Sequence, residues 1–297
     1  TINALHDYVH YIPAITTNFG VVPLFRESIT VSFTLSFTLL GFSFLISRNI
    51  AAGLVFFYLI NVVEQGLFRM LGVQIDPGPV GAFGHYAHPV IIYQAMGGMV
   101  VLVLLGLYNG RRHLRDVWNK ALGIDTTVRD DDEMLSYRQA VLGLAGGVLV
   151  MTLWLWRAGL PLWIVPLLLF ACFVVFLTIS RVVVEGGVAV MFPPITGPDV
   201  TAAALGTRAL GSSGVASVSS SYVWGTDVLI LLMTSCANGL KLADRFVQRK
   251  RRLFWAMTAT IVITLVVSLY MRLDAGYQYG AINLNAFYAD NAAQYPY

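Results

Sequence analysis

The sequence predicts an all-α fold: a polytopic transmembrane helical bundle of about six spans, with a surface helix and a re-entrant segment. Three observations carry that prediction. The 297 residues are 57% hydrophobic and only 12% charged, where a soluble domain carries about 25% charge. Mean hydropathy is +0.70, more apolar surface than one globular core can hide. The apolar residues fall in runs of membrane-crossing length, separated by short stretches rich in Gly, Pro and charge. The net charge of +3 is small and points to no nucleic acid, so the basic residues act as topology signals. Cys172 and Cys236 lie in apolar surroundings and imply no disulfide framework. The chain begins with Thr1 and no basic-then-apolar leader, the expectation for a processed or partial chain.

Residues 1–27 read as an extramembrane lead-in, with His6 and His10 four apart but no matching metal-ligand set. Three transmembrane helices are expected over 28–108. The first runs from Ile29 to Ile46, where Thr30, Thr34 and Thr38 form one stripe and Ser32 and Ser36 another, suited to a protein-facing or water-facing side. The second runs from Ala51 to Leu71 and carries Asn61, Glu64, Gln65 and Arg69 in its far half. A carboxylate within a span is costly unless paired, so Glu64 is either an intramembrane ion site or the interfacial partner of Arg69. The loop 72–88 holds Asp76-Pro77-Gly78-Pro79 and the pair His85 and His88, which lacks a third ligand. Pro89 to Tyr108 is the third span, with Pro at its start.

Residues 109–138 form an amphipathic and charged loop. Leu114, Val117, Trp118, Ala121 and Leu122 share one helical face, which places this piece along the membrane surface. The run Arg129 to Glu133 lacks the spacing of a calcium loop and reads as solvated. A transmembrane hairpin is expected over 139–180, with Gly143 and Gly147 at small-xxx-small spacing.

The stretch 181–222 is first broken, then rich in Ser. Arg181 and Glu185 lie four apart and are followed by Gly186-Gly187 and Pro193-Pro194, through which a helix cannot run smoothly. Such a break beside charged groups is a re-entrant site if the protein transports, and a plain loop if it is a scaffold. The small polar composition of 200–222 predicts a flexible linker. Residues 223–252 are expected to hold a short re-entrant or interfacial helix, carrying Asp227, and a basic loop. The last span is expected over 253–272, with a polar tail over 273–297.

The strongest basic stretches, 111–120 and 241–252, put the loops 109–138 and 241–252 in the cytoplasm by the positive-inside rule. Trp154, Trp156 and Trp163 then mark the outer interface, and Tyr108, Trp118 and Trp255 the inner one.

The runs Leu40-Gly41-Phe42-Ser43-Phe44-Leu45-Ile46, Phe56-Phe57-Tyr58-Leu59, Arg111-Arg112-His113-Leu114-Arg115, Lys120-Ala121-Leu122-Gly123, Leu135-Ser136-Tyr137-Arg138 and Gly239-Leu240-Lys241-Leu242-Ala243-Asp244 carry a resemblance. Together they resemble a family of large bacterial polytopic membrane proteins of unknown function, with a faint likeness to oligopeptide-transporter-type proteins. The resemblance covers about Leu40 to Gly280. It implies a bacterial inner-membrane location, further spans upstream, and a chain that matches a carboxyl-terminal part of longer members. It carries over no catalytic, metal or cofactor residues.

Two functions follow as expectations. One is a part of a secondary transporter, not ATP-driven, since no Gly-rich phosphate loop is present. Its candidate sites are the polar group Asn61, Glu64, Gln65 and Arg69 and the broken-helix group Arg181, Glu185, Gly186 and Gly187. The other is a non-catalytic accessory subunit of a larger membrane complex. The partners expected are the lipid bilayer and upstream helices or other membrane subunits. No cofactor, metal site or enzymatic motif is expected.

Overall fold

The computed structural model describes residues 18–26, 29–73, 89–124, 133–188, 191–225, 232–243 and 250–280. His6, His10, His85, His88, Asp227, the acidic run 130–132 and the tail beyond 280 lie outside the described residues.

The first described element is a β-hairpin, β1 (Asn18–Leu24) and β2 (Ile29–Thr34), paired antiparallel with Val22 opposite Val31 and Leu24 opposite Ile29. Phe25 and Arg26 turn the chain with φ of 52° and 57°. The expected first span is therefore replaced. Its first six residues are a strand, and the rest is the short helix α1 (Phe37–Ser43). The reason is local. Ile-Thr-Val-Ser-Phe-Thr is β-branched or aromatic at five of six positions, the composition of a strand, and it has the partner Val21-Val22 just upstream. The hydroxyl stripe drawn for a helix also fits period-2 alternation.

Ser47 caps α2 (Arg48–Met70), and α3 (Pro89–Asn109) follows. The surface helix predicted over 111–122 is present as α4 (Arg111–Ala121), with no buried residue. Ser136 and Gln139 form a reciprocal capping box at the start of α5 (Tyr137–Arg157). A tight turn leads into α6 (Val165–Gly186), which opens with Pro and ends on Gly187 at φ 65°. Then come α7 (Gly197–Gly225), α8 (Leu232–Ala243) and α9 (Lys250–Tyr279). Among the described residues five helices, α2, α3, α5, α6 and α9, are long and apolar enough to cross a membrane. The chain is mostly α-helical, as expected.

The packing centres on α6. Half of its most apolar window is buried, against none in that of α9. On one side, Ala171, Val174, Val175 and Ile179 meet Ile92, Met99 and Val103 of α3. On the other, Val165, Leu168 and Leu169 meet Leu155 of α5 and Val218 of α7. The Thr178 hydroxyl donates to the Met99 carbonyl, and the Ser180 and Thr234 hydroxyls share a hydrogen bond of 3.0 Å that ties α8 to α6.

Two further expectations are corrected. The stretch 200–222 is helix, not a flexible linker: it lies within α7. The last helix is also longer than expected, reaching from Lys250 to Tyr279.

Candidate functional site: two interrupted helices

A straight helix would hold residues 198 and 225 about 40 Å apart. Instead, a Cβ built on Gly225 would lie 3.1 Å from the Pro198 ring. The helix α7 is folded back on itself. Gly206 (φ 70°, ψ 159°) and Gly211 (φ 68°, ψ 173°) make the bend, in a backbone region that only Gly occupies readily. The result is a helical hairpin with limbs 197–205 and 212–225. Its tip lies at the α5–α6 turn, where the Ser213 hydroxyl donates to the Gly159 carbonyl and that of Ser217 to the Ala158 carbonyl.

The base of the hairpin sits inside the bundle. A Cβ at Gly197 would fall 2.9 Å from the backbone N and Cα of Cys172. Cys172 is about 10 Å into α6 from the α5–α6 turn, and α6 continues for about 21 Å beyond it. After Gly187 the chain therefore comes back alongside α6 without forming helix over 191–196, burying Pro193, Ile195 and Thr196 on the way. The first limb completes that crossing. The second limb and α8 run the other way, since Gly225 lies near Cys172 while Thr234 bonds Ser180 further along α6. The non-helical stretch 191–196, the first limb and the end of the second limb thus meet at the level of Cys172.

Asp199 occupies that meeting point, 2% exposed. Its Oδ2 accepts from the Thr196 amide at 3.0 Å and the Thr196 hydroxyl at 2.6 Å, and its Oδ1 accepts from the Tyr222 hydroxyl of the opposite limb. Thr196-Gly197-Pro198-Asp199 is a helix-start sequence: a capping Thr, a Pro in the first turn, and an acid three residues after the cap. In the second limb, Ser213, Ser217 and Ser221 recur every four residues. Ser217 and Ser221 are buried, and small side chains there let the limb lie close to its neighbours. The Trp224 indole N–H is buried without a hydrogen-bond partner among the described residues.

The candidates named from sequence lie elsewhere. In α2, the Gln65 amide donates to Asn61, and Gly66 receives the Phe25 ring of the β-turn. Glu64 is half-buried and makes no ion pair with Arg69, which is exposed. In α6, Arg181 pairs with Glu185 at 2.9 Å near the helix end, with Glu185 largely exposed. The Arg181 guanidinium also donates to the Leu102 carbonyl at 3.5 Å, passing over Gly106 of α3. Gly186 is the last residue of α6 and Gly187 its left-handed cap, donating to the Val183 carbonyl at 3.0 Å and lying against the Leu45 carbonyl. The break predicted after Gly187 is real. The buried carboxylate beside it is Asp199, twelve residues on, rather than Glu185.

Lys241 and Leu253 lie together near the start of α5 and the end of α6. A cavity of about 560 Å³ there is lined by Glu133, Leu135, Val184, Leu240, Lys241 and Leu253, among others. No group of three or more His, Cys, Asp or Glu suited to a metal occurs among the described residues.

A model of a family of unknown function, DUF6785, matches residues 1–297, and the chain belongs to that family. No curated protein and no solved structure matches it.

Proposed function

Taking the chain as a member of that family, we propose that it forms part of a secondary transporter-like membrane protein, with the 197–225 hairpin as its moving element. The observation that carries this reading is the meeting of the non-helical stretch 191–196 and both limbs of the hairpin at a buried carboxylate. Interrupted helices place polar backbone and an acid at a depth where continuous helices present only side chains, and solute sites in membranes are commonly built this way. The hairpin tip meets the α5–α6 turn through two hydroxyl-to-carbonyl bonds from Ser213 and Ser217 and through buried Leu210, which packs in one cluster with Leu160 and Ile164. The bacterial inner membrane is the location proposed.

Spin labels at Ser212→Cys and Trp163→Cys, in a chain with Cys172 and Cys236 replaced, test the reading. The expected result is two distance populations whose ratio shifts when a membrane potential or pH gradient is imposed on proteoliposomes. A single narrow population under all conditions sinks it.

The second reading is an accessory subunit of a larger membrane complex. It is supported by α9, whose apolar window has no residue buried within this chain. A monodisperse single chain in lipid nanodiscs would count against it.

A further inference from the structure

We propose that Asp199 is a proton-binding site at the base of the helical hairpin, gaining and losing a proton as the hairpin closes and opens. This deepens the transporter-like reading and rests on it.

Capping alone accounts for half of the geometry. Thr196 and Asp199 satisfy the first limb's N-terminus through Oδ2. A cap requires neither 2% exposure nor a phenol from a residue 23 positions further on, and Tyr222 engages the other oxygen, Oδ1. Two limbs of a hinged hairpin are therefore joined through one carboxyl group.

Among the described residues, no cation compensates that carboxyl. The first limb supplies Thr196, and the second supplies Tyr222. The segment of α6 at this level supplies Cys172, whose sulfur lies against Gly197 and Gly225. The α3 residues packed near Val200 are Ile92, Met99 and Val103. From α8, Thr234 meets Ser180, further along α6. Arg181 is about 13 Å beyond Cys172 along α6, and it is engaged by Glu185 and the Leu102 carbonyl. Arg208 is exposed at the hairpin tip. Among the described residues, Asp199 forms no ion pair.

An isolated carboxylate out of water is costly, and adding a proton removes that cost. The Tyr222 contact serves both states. With Oδ1 ionised, the phenol donates to it. With a proton on Oδ1, the acid donates to the phenol oxygen, and neither heavy atom needs to move. The O–H bond forms on Oδ1 with a proton from the water that reaches the hairpin base when the limbs part. The donor is hydronium, whose O–H bond breaks to leave water as the bond on Oδ1 forms; in the reverse step the Oδ1–H bond breaks and water takes the proton back as hydronium.

Infrared difference spectra of the full chain in lipid nanodiscs, taken between about pH 4 and about pH 9, test this. A carbonyl band of a protonated carboxylic acid should titrate in the wild type. It should be lost entirely in Asp199→Asn and shifted in frequency in Tyr222→Phe, which keeps the ring at that site and removes the hydroxyl. A band that is absent, that does not change across the range, or that keeps its full amplitude in Asp199→Asn overturns the proposal. The transport reading fails separately. A titrating Asp199 band together with a single spin-label distance keeps the proton site and removes the moving hairpin.

Discussion

Tyr222 donates a hydrogen bond to Asp199 across 23 residues of chain, closing the base of a helical hairpin whose tip is 206–211. That bond connects limbs that diverge elsewhere, so its loss should loosen the hairpin as a unit. Tyr222→Phe keeps the ring and removes only the hydroxyl. Interhelical hydrogen bonds in membranes are worth about 0.6 kcal/mol on average, with a maximum near 1.7. The bond to a buried carboxyl belongs near the upper end. A fall in thermal unfolding temperature in detergent is expected, together with faster amide exchange over 212–225. Unchanged exchange in that limb would show that the bond does not hold it.

The bend depends on two glycines in open space. A Cβ at Gly206 or Gly211 meets nothing within 4 Å, so any cost of substitution comes from the backbone. Gly206→Ala and Gly211→Ala should each destabilise by about 1–3 kcal/mol, read by thermal unfolding. Gly146→Ala is the control: it too is unobstructed, but it lies inside α5, where Ala is the better helix former by about 1 kcal/mol. Equal effects at the three sites would refute the bend.

Gly197 is constrained differently, by the Cys172 backbone 2.9 Å from where its Cβ would stand. Gly197→Ala should cost about 1–3 kcal/mol through displacement of the limb from α6. Adding Cys172→Ala should not fully restore stability: it removes the sulfur, the nearest atom, but leaves the backbone N and Cα in the way. Full rescue by that second change would mean that the sulfur alone set the fit.

The Arg181–Glu185 pair should matter little to stability. Its side chains are 38% and 65% exposed, and pairs of this kind contribute at most about 1 kcal/mol. Glu185→Gln should shift the unfolding temperature less than Tyr222→Phe does, and added salt should shrink the difference further. A larger effect from Glu185 would return the site to the end of α6.

The ends of the bundle can be assigned by labelling. Single cysteines at Arg112 and Lys241 should react with an impermeant reagent from one face of a sealed vesicle. A cysteine at Ser212 should react from the other, given the hairpin tip at the α5–α6 turn. Labelling of Ser212 and Lys241 from the same face would contradict the folded-back path of α7.

Several features could be read directly from the residues. The apolar runs around α2, α3, α5, α6 and α9 have the length and period of spanning helices, a property of the segment itself. The surface helix α4 was legible from one apolar face among Arg and Lys. So was the interruption after Gly186-Gly187, because Gly and Pro act on the backbone locally. The strand Ile29–Thr34 was misread because a short run of hydroxyl and β-branched residues suits both periods, and its partner strand decided between them. The helix over 200–222 was missed because Gly and Ser weigh toward a linker in water, whereas between packed helices small residues allow close approach.

The sequence by itself determined that this chain lives in lipid, which segments are long enough to cross, and where the backbone must break. Those follow from transfer free energy, helical rise and the chemistry of Gly and Pro, each acting within a few residues. Only the tertiary structure decided that the break leads back into the bundle, that α7 doubles over at Gly206 and Gly211, and that Asp199 rather than Glu185 or Glu64 is the buried acid between two limbs. The physical reason is distance along the chain. Cys172, Asp199 and Tyr222 share no local pattern, and their proximity is set by how α6 accepts two Gly-faced limbs against its own backbone.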